Sequence, residues 1–541
     1  MYSRQVHFTY SNFEGDMLME IISLLSFFVF SFVVYKREND IESCLSSHKI
    51  KQMMPFVVCF IISFIFAVRL GLSPFNSSLP GTDSSVFLYI GREMYNGAVP
   101  YRDLFDHKGV ILYFIEYLGY LIGFGNKIGV WIIEVINIFI TSLIFYHIAA
   151  FFTKSKVVCY MSIFIVLQIS SLPFIIEEGG NLTEEYALPW IALSLYFVIR
   201  FFAKKDYRNW HIIAIGVSFT IVFFLRVNMV GLWAALLLVV VIYFIKNKRN
   251  IEILKCALLF ISGCIIVLIP ICIYLLQTNS LNDMINYYFV FNLQYTADQA
   301  GIKPSISLFL SFISIAGVIT DFFIVYSLIT NFKNKFLKIN IITLFFAFLS
   351  IAISGRNYSH YGIILIPFFL IPTVLSLSPF MEKTNDISTD IKKKSVFISV
   401  AAISFLGIFL QPVYNFYYSL KTPAFAGSAL SEYLSENTKK TDDILIIGNA
   451  ASYYINSDCH TNNKYFYQEP PIDLDDNLFE EFMLEVKTKP SEYIIDCMDK
   501  NLLHSINPKN YRSFISYLDE ECQKGNYHLE KNDDFTIYIK N

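Results

Sequence analysis

Ionisable side chains are concentrated in residues 81–110, between two long apolar runs: GTDSSVFLYIGREMYNGAVPYRDLFDHKGV. They include the carboxylates of Asp83 and Asp106, the His107 imidazole and the Lys108 ammonium. A carboxylate can take a proton from a hydroxyl or an amine, and a lysine can neutralise a phosphate. Ionisable groups cost roughly 2.5–3.5 kcal/mol each at mid-bilayer, so those beside a span are mostly kept for function. This stretch is the first candidate for a site at a membrane boundary.

Three later segments place the same kinds of side chain beside apolar runs. In chain order they read GNLTEEYALP at 180–189, LRVN at 225–228 and GRNYSHYGIILIP at 355–367. Together they supply six further candidate residues: Glu184, Glu185, Arg226, Arg356, Tyr358 and His360. If the chain crosses a membrane so that these segments share one side, their acids and cations can form a single site at that boundary.

The composition indicates an integral membrane protein. Of the 541 residues, 55% are hydrophobic and 16% are charged, and the mean hydropathy is +0.49, whereas soluble domains carry roughly 25% charged residues. The 53 phenylalanines and 35 tyrosines suit helices in lipid and at its interface. The nine cysteines include no CxxC pair, so neither a disulfide framework nor a zinc site is indicated.

The apolar runs predict a polytopic topology. A transmembrane helix needs about 20 apolar residues to cross roughly 30 Å of hydrocarbon. By this criterion about twelve segments are predicted to span: 17–35, 54–71, 129–152, 157–175, 185–203, 211–225, 228–245, 254–277, 305–330, 341–354, 360–378 and 395–413. The segment 109–124 is short and has Glu116 at its centre, so we expect it to be re-entrant or to lie in the interface.

The positive-inside rule supports this topology. If 109–124 does not cross, the loops rich in lysine and arginine all lie on the cytoplasmic side: 36–53, 153–156, 204–210, 246–253, 331–339 and 379–394. The outer side then receives 72–128, 176–184, the turn at 226–228, 278–304 and 355–359. The candidate residues are therefore predicted to share one aqueous outer face.

A change in composition predicts a separate C-terminal domain. Short β-like runs, DILIIG at 443–448, EYIIDC at 492–497 and FTIYIK at 535–540, alternate with helix-like stretches at 425–438 and 508–523. This alternation is typical of a small α/β domain, which the topology places outside the cytoplasm.

The predicted fold class is an α-helical polytopic membrane protein with a small C-terminal α/β extracytoplasmic domain. Residues 1–53 form an N-terminal extra span and a cytoplasmic loop, and 54–415 form the transmembrane core with its first outer loop at 72–128. Residues 416–541 form the extracytoplasmic α/β domain.

The order of these motifs resembles the GT-C superfamily of membrane glycosyltransferases, especially the bacterial protein O-mannosyltransferase-like and aminoarabinose transferase-like members of glycosyltransferase family 39. Residues 81–109 resemble the family's first outer loop, which usually ends in D-H-K-P-P; Gly109 replaces the first proline here. GNLTEEYALP resembles the second acidic loop, and LRVN and GRNYSHYGIILIP match later outer-face motifs. KYFYQEPP and KPSEYII are similar to the family's C-terminal extracytoplasmic domain.

The resemblance implies an enzyme that moves a sugar from a polyprenyl-phosphate donor to a cell-envelope glycan, lipid or protein. It implies a multi-pass protein of the bacterial plasma (inner) membrane, with the lipid bilayer as a partner and no nucleic acid. The chain has no GxxxxGK nucleotide cradle, as expected for a lipid-linked donor.

The resemblance also implies roles for particular residues. We expect Asp83 and Glu184 to be catalytic, because the acceptor hydroxyl or amine needs a base. The donor phosphate or lipid is expected to be bound by Lys108, Arg226, Arg356 and His360. The supporting residues are Asp106, His107, Glu185 and Tyr358. No cofactor is certain: Asp83 and Glu184 can hold a divalent cation, and no ligand spacing decides for or against a metal.

Simpler interpretations exist for the same residues and for the whole chain. Asp83 can be a helix N-cap, Glu184 and Glu185 can be first-turn acids favoured by the helix dipole, and the arginines can be lipid-headgroup anchors. The alternative functions are a flippase for lipid-linked sugars and a polysaccharide polymerase or ligase. A flippase needs polar residues through the membrane, and polymerases usually rely on arginine-rich outer loops without an acid in the first loop.

Overall fold

The computed structural model of the chain describes residues 48–68, 70–75, 81–168, 179–205, 207–297, 321, 323–353, 358–381, 427–448, 450–468, 476–497, 508–531 and 535–541. Several predicted features lie outside these residues: the spans at 17–35 and 395–413, most of the span at 305–330, and Arg356. The described residues are mostly helical, with one small sheet near the C-terminus.

Five helices begin the bundle: α1 (His48–Ala67), α2 (Thr82–Tyr95), α3 (Val110–Ile122), α4 (Ile128–Ala149) and α5 (Lys156–Leu167). Helix α2 ends at Asn96, and Gly97 follows at φ 105°, a left-handed value that favours glycine. Helix α3 packs against both α2 and α4. It has 13 residues and is about 20 Å long, which is too short to cross the hydrocarbon by itself.

Eight further helices complete the bundle: α6 (Thr183–Lys204), α7 (Asn209–Phe223), α8 (Gly231–Lys246), α9 (Asn250–Gln277), α10 (Leu281–Met284), α11 (Phe291–Ala297), α12 (Lys335–Ala352) and α13 (Leu370–Met381). A 3-10 turn at Val227–Met229 precedes α8, and a π-helical stretch at Ile285–Val290 joins α10 to α11. A 3-10 helix at Ser359–Phe369 leads into α13.

Six described helical segments are long and apolar enough to cross a membrane: Ile128–Ala149, Thr183–Lys204, Val227–Lys246, Asn250–Gln277, Lys335–Ala352 and His360–Pro379. The protein is therefore membrane-embedded. The predicted α-helix at 360–378 is wrong over its first part, which is a 3-10 helix instead. Pro367 lies in that part, and it has no backbone N–H for an α-helical hydrogen bond.

The two ends of the bundle differ in charge. Helix α6 has 22 residues and is about 33 Å long, so Glu184 near its start and Lys204 at its end lie at opposite boundaries of the apolar layer. Helix α7 returns the chain, and Arg226 follows its last turn, at the end of the bundle where Glu184 lies. Lys204, Lys246 and Lys335 lie at the opposite end, where Lys335 donates to the Phe202 carbonyl at 3.0 Å.

The C-terminal residues form helices around a four-stranded sheet. The helices are α14 (Gly427–Asn437), α15 (Ala451–Asn456), α16 (Asp476–Thr488) and α17 (Pro508–Gln523). The strands are β1 (Ile444–Ile447), β2 (Tyr493–Asp496), β3 (Tyr527–Lys531) and β4 (Thr536–Lys540), in the order β1-β2-β4-β3. Strand β1 pairs parallel with β2, and β4 runs antiparallel to both β2 and β3. The three predicted β-like runs form strands, whereas β3, α15 and α16 are additional.

Candidate functional site

Asp83 lies in the first turn of α2. The N-cap of that helix is Gly81, and no side chain caps it, so the interpretation of Asp83 as the N-cap is wrong. Asp83 is partly exposed, whereas the residues from Ser84 to Arg92 are buried. A negative charge in a first turn is favoured by the helix dipole, by about 0.3–1 kcal/mol. The start of α2 therefore presents a carboxylate at the edge of a packed interface.

Asp106 is buried, although the sequence placed it on an aqueous face. Its Oδ1 accepts hydrogen bonds from the His107 backbone N–H at 2.7 Å and from the Tyr467 hydroxyl at 2.6 Å. Its Oδ2 accepts from the Tyr113 hydroxyl at 2.8 Å. Only 1% of Asp106 is exposed, because α3 and the C-terminal residues both cover it. Asp106 thus orders the turn that carries His107 and Lys108.

Lys108 extends from this turn toward the start of α2. Its Nζ is 3.3 Å from His107 Nε2 and 5.5 Å from the centre of the Phe87 ring, one helical turn after Asp83. Its backbone carbonyl accepts a hydrogen bond from the Tyr101 hydroxyl at 2.7 Å. Burial raises the pKa of Tyr101 well above its ordinary value, so this hydroxyl remains a donor.

His107 supports the same turn from the other side. Its ring lies 5.4 Å from that of Phe291, and its backbone carbonyl accepts from the Asn292 side chain at 2.7 Å. The residues after the π-helical stretch therefore contact the turn directly. This contact between α11 and the first loop was not predicted from the sequence.

Gly109 joins this turn to the segment that carries Arg226. Its backbone N–H donates to the Leu225 carbonyl at 3.1 Å. A Cβ atom at Gly109 would lie only 1.9 Å from the Phe224 carbonyl oxygen, so a larger residue would force the two backbones apart. These contacts explain why Gly109 stands where the family usually has proline. Proline has no N–H to donate to Leu225, and a side chain would clash with the Phe224 backbone.

Arg226 is held by Glu184 and Tyr361. Arg226 Nη1 donates to Glu184 Oε1 at 2.8 Å, and Nη2 donates to the Tyr361 hydroxyl. The guanidinium carbon also lies 4.1 Å from the centre of the Tyr361 ring. Glu184 is 1% exposed, and its Oε2 accepts from the Thr183 hydroxyl at 2.7 Å. A charge-assisted hydrogen bond and a cation–π contact together fix the guanidinium in position.

The predicted residues converge on His360. Its imidazole is stacked on Tyr358, with ring centroids 5.6 Å apart and planes 13° apart. Four charged side chains lie close enough to this imidazole to interact with it electrostatically: Asp83, Lys108, Glu184 and Arg226. We call these four residues and His360 the acid–cation cluster. Except for Asp83 and Arg226, which are partly exposed, its members are buried, which corrects the expectation of an aqueous face.

A second set of carboxylates, Glu116, Glu134 and Glu185, surrounds Tyr186 and is called here the buried acid group. Glu134 Oε1 accepts from the Asn181 backbone N–H at 2.7 Å, and Glu185 Oε2 accepts from the Leu182 backbone N–H at 3.3 Å. Exposure is 0% for Glu116 and 2% for Glu134. Glu134 was not among the predicted residues, although a glutamate inside an apolar run is a visible signal.

The C-terminal residues pack directly on α2. Arg92 is 8% exposed and donates to the backbone carbonyls of Tyr454 and Cys459 at 2.8 Å and 2.6 Å. Burial opposes its charge, but the Glu93 carboxylate together with the Tyr89 and Tyr120 side chains outweighs that effect, and the pKa of Arg92 is raised. The Tyr89 ring lies 4.4 Å from that of Phe466.

The surroundings of Glu184 bear on whether it can hold a divalent cation together with Asp83. Both oxygens of Glu184 accept hydrogen bonds, Oε1 from Arg226 and Oε2 from the Thr183 hydroxyl. Among the residues that the structure describes, no three histidine, cysteine, aspartate or glutamate side chains are arranged to hold a metal ion. A divalent cation held by Asp83 and Glu184 stays a prediction from the sequence.

A family model described as "Putative competence-induced protein Ccs4 N-terminal domain" matches residues 38–430. No curated protein matches the sequence. Among solved structures, ArnT from Cupriavidus metallidurans bound to undecaprenyl phosphate is similar, with a TM-score of 0.54, 11% identity, and coverage of 91% of this chain and 98% of that chain.

Two structures from Archaeoglobus fulgidus are also similar. The oligosaccharyltransferase AglB, in complex with an inhibitory peptide and a dolichol-phosphate, has a TM-score of 0.48 and 11% identity over 82% of this chain and 69% of that chain. An oligosaccharyltransferase complex with Zn and sulfate has a TM-score of 0.44 and 12% identity over 81% and 67%.

The family match covers most of the helical core and extends to the start of the C-terminal helices. The similarity to ArnT covers almost the whole of both chains and shows a shared fold. The chain therefore belongs to the family of the Ccs4 N-terminal domain and has the fold of the GT-C membrane glycosyltransferases.

Proposed function

We propose that this chain is a GT-C glycosyltransferase that moves a sugar from a polyprenyl-phosphate donor to a cell-envelope acceptor on the outer face of the membrane. The observation that carries the proposal is the acid–cation cluster. It combines a partly exposed carboxylate at Asp83 with two cations, Lys108 and Arg226, at one end of an apolar bundle. In a sugar transfer from a phosphate, the carboxylate can take the acceptor's proton and the cations can neutralise the leaving phosphate.

The chemistry assigns the base to Asp83. The acceptor oxygen or nitrogen attacks the anomeric carbon, and the bond from that carbon to the phosphate oxygen breaks. The polyprenyl phosphate leaves with the electron pair, and Asp83 takes the acceptor's proton. Partial exposure suits this role, because Asp83 must meet an acceptor that arrives from water.

Lys108 and Arg226 neutralise the donor phosphate in this proposal. The Gly109–Leu225 backbone hydrogen bond keeps their two segments together, and Glu184 with Tyr361 holds the guanidinium. Glu184 is then a positioning residue, because it holds Arg226 in place. His360 lies near these charges, and we assign it to the phosphate site as well. Arg356 lies outside the described residues, and we include it as a further residue that binds the donor on the basis of its sequence motif alone.

The shared fold with ArnT supports a lipid-phosphate donor, because the ArnT structure is bound to undecaprenyl phosphate. The lysine-rich opposite end of the bundle supports an outer location for the cluster. The C-terminal α/β residues, which pack on α2, would then also lie outside the cytoplasm. The helical bundle would lie in the plasma (inner) membrane of a bacterium.

The proposal is tested by incubating the detergent-purified full-length chain with undecaprenyl-phosphate-linked sugars and cell-envelope fractions. Release of undecaprenyl phosphate, together with a labelled acceptor, is the expected result. Movement of intact donor across a vesicle membrane without bond cleavage would instead identify a flippase. Growth of a polymer on the lipid itself would identify a polymerase.

The outer location is tested by cysteine labelling in intact cells, in a background whose nine native cysteines are replaced by serine. Asn282→Cys and Lys333→Cys both introduce a thiol at an exposed position near a helix end. We expect an impermeant maleimide to label Asn282→Cys before lysis and Lys333→Cys only after lysis. The reverse pattern would put the acid–cation cluster on the cytoplasmic side.

A further inference from the structure

One segment of the C-terminal residues reaches into the first loop of the membrane core. Residues 459–468, CHTNNKYFYQ, are called here the docking segment. The Lys464 carbonyl accepts from the Phe105 backbone N–H at 2.9 Å, and the Lys464 ammonium donates to the Tyr287 hydroxyl at 2.8 Å. The docking segment therefore lies against both the first loop and the π-helical stretch.

Tyr467 makes a buried polar contact between this segment and the first loop. It is 4% exposed, and its hydroxyl donates to Asp106 Oδ1 at 2.6 Å. A short hydrogen bond to a carboxylate is of the strong, charge-assisted kind. Asp106 receives its other donors from the His107 backbone and from Tyr113, so three separate parts of the chain meet at one carboxylate.

The same hydrogen bonds lead from Asp106 to Lys108. The Tyr113 hydroxyl contacts both Asp106 Oδ2, at 2.8 Å, and the Lys108 backbone carbonyl, at 3.1 Å. The His107 N–H that Asp106 accepts belongs to the residue directly before Lys108. A change in the orientation of the Asp106 carboxylate therefore alters the backbone from which the Lys108 side chain extends.

We propose that Tyr467 is a positioning residue for the donor site: its hydroxyl fixes Asp106, and Asp106 fixes the backbone that directs Lys108 to the donor phosphate. This inference rests on the proposed function, in which Lys108 binds that phosphate. It assigns the C-terminal residues a part in donor binding, although they contribute no group to the acid–cation cluster. The docked C-terminal segment and the membrane core then form the donor site together.

Two matched variants test this role. Tyr467→Phe removes the hydroxyl that contacts Asp106. Tyr465→Phe removes a hydroxyl two residues away that donates to Glu481 and also interacts with the Tyr287 hydroxyl of the π-helical stretch. The aromatic ring is retained in both variants. The measurement is the Kd of the full-length purified chain for undecaprenyl phosphate, with the fraction of binding-competent protein determined separately.

We expect Tyr467→Phe to weaken binding about tenfold, as for a lost hydrogen bond to a charged group, and Tyr465→Phe to leave the Kd unchanged. A purely structural defect would lower the binding-competent fraction and leave the Kd of the remainder unchanged. An unchanged Kd in Tyr467→Phe, with wild-type protein that binds the lipid, overturns this inference and leaves the proposed function intact.

A double-mutant cycle tests whether the effect passes through Lys108. In the Lys108→Ala background, Tyr467→Phe should weaken binding by less than about twofold, because the side chain that it positions is gone. A full tenfold loss in that background would show that Tyr467 acts by another route. Failure of the wild-type chain to bind undecaprenyl phosphate at all would instead contradict the proposed function itself.

Discussion

Two sets of acids lie at the same end of the bundle, and their surroundings differ. In the acid–cation cluster, Glu184 is paired with the Arg226 guanidinium at 2.8 Å. In the buried acid group, Glu134 and Glu185 accept hydrogen bonds from the backbone N–H groups of Asn181 and Leu182. An ionised carboxylate is costly to bury without a cation or several donors. A buried acid in an apolar helix is therefore not by itself evidence of catalysis.

The two sets are linked through neighbouring side chains. The Asn181 side-chain amide donates to the Ser84 hydroxyl at 3.0 Å, directly beside Asp83. The Tyr186 hydroxyl donates to the Asn181 side-chain oxygen at 2.6 Å. The buried acid group therefore supports the loop that faces the start of α2, and the acid–cation cluster is where we expect substrate to bind.

The largest expected effect is that of Asp83→Asn. This change keeps the shape of the side chain and removes the base, so transfer should fall by about 10²–10⁴-fold. Undecaprenyl phosphate affinity should stay within about threefold, because the cations that bind the phosphate in our proposal remain. The assay is single-turnover sugar transfer from a saturating donor, normalised to bound donor. Wild-type rates in this variant would mean that Asp83 is only a favourable first-turn acid.

Arg226 should have the next largest effect, on binding. Removing a charge-assisted contact costs about 1.5–3 kcal/mol, so Arg226→Ala should weaken undecaprenyl phosphate binding roughly 10- to 150-fold. Arg226→Lys keeps the charge but loses the planar fork, and should restore only part of the affinity. Arg249→Ala, at the opposite and lysine-rich end, is the matched control. Normal binding in Arg226→Ala would indicate a lipid-headgroup anchor.

The smallest effect is expected in the buried acid group. Glu134→Gln keeps an oxygen that can accept from the Asn181 N–H, so transfer should remain within about threefold of the wild type. Glu184→Gln is the contrasting change, because it removes the charge that holds Arg226, and we expect about a tenfold loss of donor affinity. If Glu134→Gln abolishes transfer while the protein stays folded, the distinction between the two sets fails.

Local patterns predicted much of the fold. The apolar runs predicted α4, α6 and α9, and the β-like runs predicted three of the four strands. Strand β3 was missed because it lies at the edge of the sheet and four of its five residues are exposed, so its sequence YHLEK has only two apolar residues and resembles a polar loop. The 3-10 start before α13 was missed because apolar runs do not distinguish helix types.

The site was predicted in part. The charged members of the acid–cation cluster were identified by their place beside apolar runs. Their burial was not, because it depends on contacts such as that of Tyr467 with Asp106, which are 361 residues apart in the chain. Tyr361 was missed because an aromatic residue in a membrane protein is most simply interpreted as packing. Only the folded chain shows that its hydroxyl and ring hold Arg226.

The central claim is that the acid–cation cluster binds the phosphate of a lipid-linked donor. The most direct measurement is a cryo-EM structure of the full-length chain with undecaprenyl phosphate. Our account predicts phosphate density within hydrogen-bond distance, roughly 2.7–3.2 Å, of the Arg226 guanidinium and the Lys108 ammonium, with the lipid tail between apolar helices. Phosphate bound instead among the lysines at the opposite end of the bundle, with the cluster empty of ligand, would contradict it.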